Sequence, residues 1–345
     1  MSNEDASSNG DYSPDVLVAG ETLVDFLPDS TGSLADVQNF SKRAGGAPAN
    51  VAVGLAHLDV LPWFWTRVGA DPFGDFLVRT LEGHGLSDRF VERDPEAKTT
   101  LAFVSHDENA DRAFTFYRDG TADTRVEPGA VPDDVLDGVS WVYVGGVMLA
   151  EEPGRTATLD LAERATDRDC TVVFDPNARP ELWSSDEEFA EAVGEMLDYA
   201  DVVKATPEDL DAAGFDGVSE EDGVNPEALA QAVCDAGPHT VLLTLGDSGS
   251  FAYSTDRAPW GADAASHGGY TVEPTDTTGA GDAFTAGALA ALADDELGGS
   301  EISDDHTLSS VLGFANAVAA VTTTAAGAMT ALPTREEVRR FRDLE

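Results

Sequence analysis

Short, near-continuous apolar runs recur along the chain at Val16–Ala19, Trp63–Val68, Trp141–Val144, Thr171–Phe174, Val202–Lys204 and Val241–Leu245. Runs of this kind are strands covered on both faces. Helical periodicity fills the intervals at Pro48–Leu58, Phe73–His84, Arg155–Thr166, Asp186–Leu197, Pro226–Ala236, Ala280–Ala293, His306–Thr324 and Thr334–Arg342. The alternation predicts an α/β fold: a doubly wound, mostly parallel sheet flanked by helices, with residues 1–345 as a single domain. Two places break the rhythm. Residues 27–42 form a polar connection too long for an αβ loop. Residues 88–126 hold two strands with no helix between them, Thr99–Ser105 and Ala113–Tyr117, joined by the turn-rich run His106–Arg112. Together these segments are expected to form a small β-sheet lid. The acidic stretches Asp216–Asn225 and Asp294–Asp305 read as loops.

Charge changes the picture. Twenty Lys plus Arg face 65 Asp plus Glu, a net charge of −45, and only Lys42, Lys98 and Lys204 are lysines. The acids fall between the apolar segments, as a solvated skin. At molar salt, screening within about 3 Å removes the self-repulsion of such a skin, so a saline cytoplasm is the expected setting. Nucleic acid and anionic membranes are disfavoured as partners, since phosphate contacts need a basic stripe. The acidic, polar first residues are not those of a signal or transit peptide. No apolar run approaches the roughly 18 residues of a membrane span. Cys170 and Cys234 are expected to be reduced, buried thiols, and no Cys/His cluster suggests zinc.

The strongest chemical signal is Asp276-Thr-Thr278-Gly279-Ala280-Gly281-Asp282-Ala-Phe284, which follows the extended segment Tyr270–Glu273 and opens a helix of small residues. Backbone N–H groups at a helix start, with glycines permitting close approach, make an anion site. A carboxylate in that first turn can take the proton of an attacking hydroxyl while the N–H groups hold a phosphoryl group. The dinucleotide fingerprint is excluded because Phe284 stands where its third glycine belongs, and no P-loop occurs. A second motif, Gly45-Gly46-Ala-Pro48-Ala-Asn50, joins a glycine pair to a helix start and an amide that both donates and accepts hydrogen bonds. Asp25 follows the first strand; Asp175-Pro-Asn177-Ala-Arg179, Lys204-Ala-Thr206-Pro-Glu208-Asp209 and Thr244-Leu-Gly246-Asp-Ser248-Gly249 follow later ones. Open α/β sheets bind ligands at that edge.

With both motifs in place, residues 15–333 resemble the ribokinase-like carbohydrate kinase family, and within it most of all the fructokinases. The resemblance rests on GGAPANVAVGLAHL and DTTGAGDAF, with the more local GETLVDF, TTLAFV, FTFYRDGTAD and DPNARPELW. It implies ATP-dependent phosphorylation of a small sugar, D-fructose first, on a fold whose lid closes over the sugar and often mediates a homodimer or higher homo-oligomer. Carried over by motif, Asp282 is the base and Gly279, Ala280 and Gly281 form the anion hole. Asp25, Gly45, Gly46, Asn50, Arg118 and Arg179 would bind sugar. Lys204, Thr244, Gly246, Ser248, Gly249 and Asn316 would line the nucleotide pocket. Asp276 and Thr278, with Ala326-Gly327-Ala328, match a monovalent-cation loop and imply K⁺. One departure stands out. Thr206-Pro-Glu208-Asp209 replaces the family's usual Asn-x-x-Glu, leaving Asp209 and Glu208 as rival carboxylates for Mg²⁺. The alternatives are a 2-keto-3-deoxygluconate kinase, in which Arg118 and Arg179 meet the acid, and a non-catalytic sugar-binding regulator.

Overall fold

The computed structural model describes residues 14–30, 32–106, 112–215, 218–219, 223–293 and 307–344. The chain opens with strand β1 (Val16–Ala19), then β2 (Leu23–Pro28), β3 (Phe40–Gly45) and helix α1 (Ala47–His57). There follow β4 (Trp63–Gly69), α2 (Pro72–Gly83), β5 (Val91–Asp94), β6 (Leu101–His106) and β7 (Arg112–Tyr117). The middle of the chain runs α3 (Asp133–Leu136), β8 (Trp141–Gly145), α4 (Gly154–Thr166), β9 (Thr171–Asp175), α5 (Asp186–Leu197), β10 (Val202–Ala205) and α6 (Pro207–Ala212). After a short hairpin, β11 (Val218–Ser219) and β12 (Gly223–Val224), come α7 (Pro226–Asp235), β13 (Thr240–Thr244), β14 (Ser250–Ser254) and β15 (Asp263–His267). Helices α8 (Ala280–Ala293), α9 (Leu308–Thr323) and α10 (Arg335–Arg342) complete it.

Nine strands form one sheet in the order β15-β14-β13-β10-β9-β8-β1-β4-β5. From β13 to β5 every pairing is parallel, and β14 and β15 add an antiparallel edge. Side chains alternate between two cores. Leu17 and Ala19 join Val142, Phe174 and helices α4, α5 and α7; Val16 and Val18 join Tyr143, Leu242 and helices α1, α8 and α9. Helices α8 and α9 approach closely because Gly287 has no side chain: a Cβ there would stand 2.9 Å from Ala315 Cα. The second sheet has four strands, β3-β2-β6-β7, at the edge where β1 ends. Its inner face carries Asp25, Phe114 and Phe116. Its outer face carries Phe26, Phe40 and Phe103, which pack edge-to-face or stacked on one another and on Phe73 of α2.

Several expectations need correction. Residues 27–42, expected in the lid, enter the small sheet through their two ends, in β2 and β3. Phe40–Gly45 reads FSKRAG; as an exposed edge strand it carries no apolar alternation to announce it. Of residues 88–126, only 101–117 contribute strands to the small sheet, because Val91–Asp94 pairs with β4 in the large one. Tyr270–Glu273 forms no strand, and the last strand before α8 is Asp263–His267. Part of the acidic 216–225 stretch pairs as the β11–β12 hairpin. The expected loop at 294–305, and most of the turn at 106–112, lie outside the described residues. Cys170 and Cys234 are buried and unpaired. Among the described residues no helix is long and apolar enough to cross a membrane.

Candidate active site

Two cavities open at the C-terminal edge of the large sheet. One, of ≈ 400 Å³, lies beneath the small sheet and is lined by Glu21, Asp25, Gly46, Asn50, Arg179, Lys204 and the 277–282 segment. The other, of ≈ 760 Å³, is lined by Thr244, Gly246, Ser248, Gly249, Pro207, Glu208 and Asn316. They meet at Thr206, Ala280 and Gly281, the start of α8.

That helix start is built by its glycines. Gly279 has φ 78°, the left-handed region, and a Cβ there would come within 2.9 Å of Ala328 Cα. Only glycine lets the chain turn into α8 against the 326–328 segment. The turn is tied from the other side by Asp276. Its Oδ1 accepts from Thr278 N–H (3.0 Å) and Thr278 Oγ1 (2.6 Å), and its Oδ2 accepts from Gly327 N–H at 2.9 Å.

Asp282 sits in the first turn of α8 and accepts from Asn50 Nδ2 at 2.7 Å. Burial raises its pKa, while the Asn50 hydrogen bond and the charges of Lys204 and Arg179 oppose that rise. Asp25 faces the same cavity. Burial, then the Asp282 carboxylate, push it up to about 7, and Arg179 offsets part of this. Gly45 lies under the Asp25 carboxylate, where a Cβ would stand 2.0 Å from Oδ2. Lys204 is buried and paired with Asp175, Nζ to Oδ2 at 2.9 Å. Its ammonium lies behind Gly281, 3.6 Å from where a Cβ would be. The site therefore concentrates charge that water would otherwise solvate.

One consequence concerns stability. A carboxyl whose folded pKa exceeds its unfolded value stabilises the fold below the unfolded pKa, and that contribution is lost as pH rises through about 7. Asp25→Asn removes the buried charge. Its melting temperature should exceed that of the unsubstituted protein by about 2–4 °C at mildly alkaline pH, and the difference should vanish in acid. Equal melting temperatures across the pH range, read by calorimetry, would contradict this.

Arg118 and Asp209 lie differently from what the motifs imply. Arg118 does not line either cavity. It is 3% exposed, with Nε donating to Asp123 Oδ2 at 2.7 Å, in a cluster completed by Thr100 and Thr121. The turn after β7 holds the guanidinium on Asp123, and its charge acts on Glu21. Asp209, 8% exposed, has both carboxylate oxygens engaged. Oδ2 accepts from Thr206 N–H and Oγ1 in a capping box, and Oδ1 accepts from Ala178 N–H at 2.8 Å. Glu208 is exposed on the wall of the larger cavity. Asn316 commits its Nδ2 to Ser250 Oγ and Leu312 O, leaving its oxygen for the cavity. Among the described residues no three His, Cys, Asp or Glu side chains cluster as a metal site.

The cavity also contains residues that lie within the motifs but to which the resemblance assigns no role. Phe114 and Phe116, stacked with centroids 5.8 Å apart, roof it. Their alternation in Phe114-Thr-Phe116 was the available signal. Glu21, 3% exposed, forms part of the floor.

Two cavities joined at a helix start and a buried carboxylate suit passage of a phosphoryl group between two small molecules, which places the molecule among the small-molecule kinases. The particular family follows from comparison: the model of the pfkB family carbohydrate kinase matches residues 13–335, and the chain belongs to that family. It is 36% identical over 336 residues to probable fructokinase-4 of Arabidopsis thaliana, covering 97% of this chain and 98% of that one. Among solved structures it resembles the ATP-bound fructokinase of Xylella fastidiosa, with TM-score 0.81, 30% identity, and 96% and 99% of the two chains covered. It also resembles a fructokinase double mutant of Vibrio cholerae solved with fructose, ADP and potassium ion, with TM-score 0.77, 32% identity, and 94% and 97% covered. The fold is ribokinase-like, and the protein is a sugar kinase.

Proposed function

We propose that the protein phosphorylates D-fructose from ATP, with Asp282 as general base. The observation that carries this reading is the position of Asp282 in the sugar-sized cavity, next to Ala280 and Gly281, where that cavity meets the nucleotide-sized one. Asp25, Asn50 and Gly46 hold the sugar hydroxyls, Arg179 lies across from them, and Phe114 and Phe116 cover an apolar face of the ring. Thr244, Gly246, Ser248, Gly249 and Asn316 receive the nucleotide, while Lys204, which lines the smaller cavity and not the nucleotide pocket as its motif implied, meets the transferring phosphoryl group beside Gly281. The sugar hydroxyl gives its proton to the Asp282 carboxylate as its oxygen bonds to the γ-phosphorus. The bond to the β–γ bridging oxygen breaks and ADP departs. The Gly279–Gly281 N–H groups and Lys204 hold the charge on the transferring group. The small sheet acts as a lid that keeps water out during transfer.

Mg²⁺, when bound with ATP, neutralises phosphate charge. Since it keeps most of its waters and needs one or two carboxylates, exposed Glu208 fits that role better than Asp209, whose oxygens are occupied. Asp276 and Thr278, tied to Gly327, fit a K⁺-responsive loop. We read the net charge of −45 as support for a saline cytoplasm and the exposed Tyr117 of the lid as support for a homo-oligomer contact there.

The competing substrate, 2-keto-3-deoxygluconate, needs cations for its carboxylate. Arg118, buried on Asp123, favours fructose over it. Steady-state assays in concentrated KCl with MgATP should give a kcat/KM for fructose at least about tenfold above that for the keto-acid. The reverse order would transfer the assignment to the acid.

A further inference from the structure

We propose that Glu21 positions the catalytic base: it caps helix α1 from outside the helix and thereby holds Asn50 against Asp282. This rests on the reading of Asp282 as base. Helix α1 begins without a cap of its own, because its N-cap is Gly46 and no side chain there accepts a hydrogen bond. The first N–H groups of a helix need partners from elsewhere. Glu21 Oε1 supplies one, accepting from Ala47 N–H at 3.2 Å across 26 residues of chain. The two segments are pressed together: a Cβ on Gly46 would meet Glu21 O at 2.5 Å, and one on Gly20 would meet Pro48 Cγ at 2.1 Å. One turn further, Asn50 N–H donates to Gly46 O at 2.9 Å, the first bond of the helix, and its Nδ2 donates to Asp282. Asn50 Oδ1 has no partner, so the reach of its side chain is set by where α1 starts.

The remaining features of Glu21 point the same way. Among the described residues its buried Oε2 has no hydrogen-bond partner, and the Arg118 Nη1 and Nη2 atoms also lack one. The carboxylate is therefore not spent on a close ion pair with Arg118. Its hydrogen bond to another residue goes to the helix start. Burial pushes Glu21 up to about 7, opposed by a hydrogen bond from its own backbone and by Arg118 and Arg179, and reinforced by Asp123. The groups facing Asp282 are Asn50 from α1, Asp25 from β2, Lys204 from β10, Asp175 from β9, Arg179 from the loop after β9 and Tyr143 from β8. The contacts that lead from Glu21 to Asp282 run through α1, by way of Ala47 N–H and the Asn50 side chain.

The test is the pH profile of kcat/KM for sugar in Glu21→Gln, Glu21→Met and Ala47→Pro, with Asn50→Ala as reference and Asp282→Asn as control. Gln keeps an acceptor for Ala47 N–H and should leave the acid limb in place. Met removes the acceptor, while Pro, tolerated at the first helical position, removes the donor. Both should move the acid limb upward by about half to one pH unit, in the direction of Asn50→Ala, because that hydrogen bond favours the carboxylate. A merely structural role would lower the melting temperature without moving the limb. Unshifted limbs in Met or Pro would overturn the proposal, as would a Gln variant shifted as far as Met, which would implicate charge rather than the cap. Should Met not fold, Pro decides alone. Full activity in Asp282→Asn would instead overturn the assignment of the base, a distinct result.

Discussion

Replacing Asp282 with Asn should lower kcat by about 10²–10⁴-fold while leaving the KM for sugar nearly unchanged. The substitution keeps the shape of the side chain and an oxygen able to accept from Asn50 Nδ2, which lies 2.7 Å from the carboxylate. It removes the group that we propose takes the proton. As the proposed base Asp282 must be ionised, and burial raises its pKa. Turnover should therefore fall as pH drops through that raised value. In the Asn variant the residual rate should lose this limb. Steady-state kinetics over a pH series reads both effects, and an Asn variant within a few-fold of normal turnover would remove Asp282 from the chemistry.

The second large effect is expected from Gly279→Ala. A side chain at φ 78° costs about 1–2 kcal/mol in backbone strain. The added Cβ would also stand 2.7 Å from Ala328 Cβ and 2.9 Å from its Cα, so the turn must move away from the 326–328 segment. That movement carries the N–H groups at the start of α8 out of line with the transferring phosphoryl group. Removing one such donor costs about 10²–10³ in kcat, and a fall of that size is expected, with a lowered melting temperature. Gly281→Ala makes a useful contrast. Its φ is not in the left-handed region, and the nearest atom to an added Cβ is Lys204 Nζ at 3.6 Å. It should fold normally and lose activity through crowding of the cavity alone. Equal melting temperatures for the two variants would contradict the strain argument.

What could be read in the sequence follows from what kind of force fixes each feature. Buried parallel strands and long periodic helices announce themselves: Asp186–Leu197 and Ala280–Ala293 fall where the pattern puts them. Strands held mainly by edge pairing do not. Phe40–Gly45 and Asp263–His267 carry too few apolar residues for a period of two to show, and their pairing depends on neighbours distant in sequence. The site divides in the same way. Arg179 and Lys204 reach one cavity because β9 and β10 end at the same edge, and Asp25, Asn50 and Asp282 join them there from β2, α1 and the start of α8. Arg118 and Asp209 took their places from local pairing, with Asp123 and with the Thr206 cap, and a loop's return path is not written in spacing. Glu21 was hidden for the complementary reason, since its partner lies across the chain at Ala47.

The most direct test of the central claim is ³¹P NMR of the protein with MgATP and D-fructose in concentrated KCl, beside an identical sample of Asp282→Asn. The account predicts a growing sugar-phosphate resonance matched by loss of the ATP γ-signal, and on the same timescale almost none in the variant. A folded, unsubstituted protein that leaves ATP intact, or a variant that forms product equally fast, would contradict it.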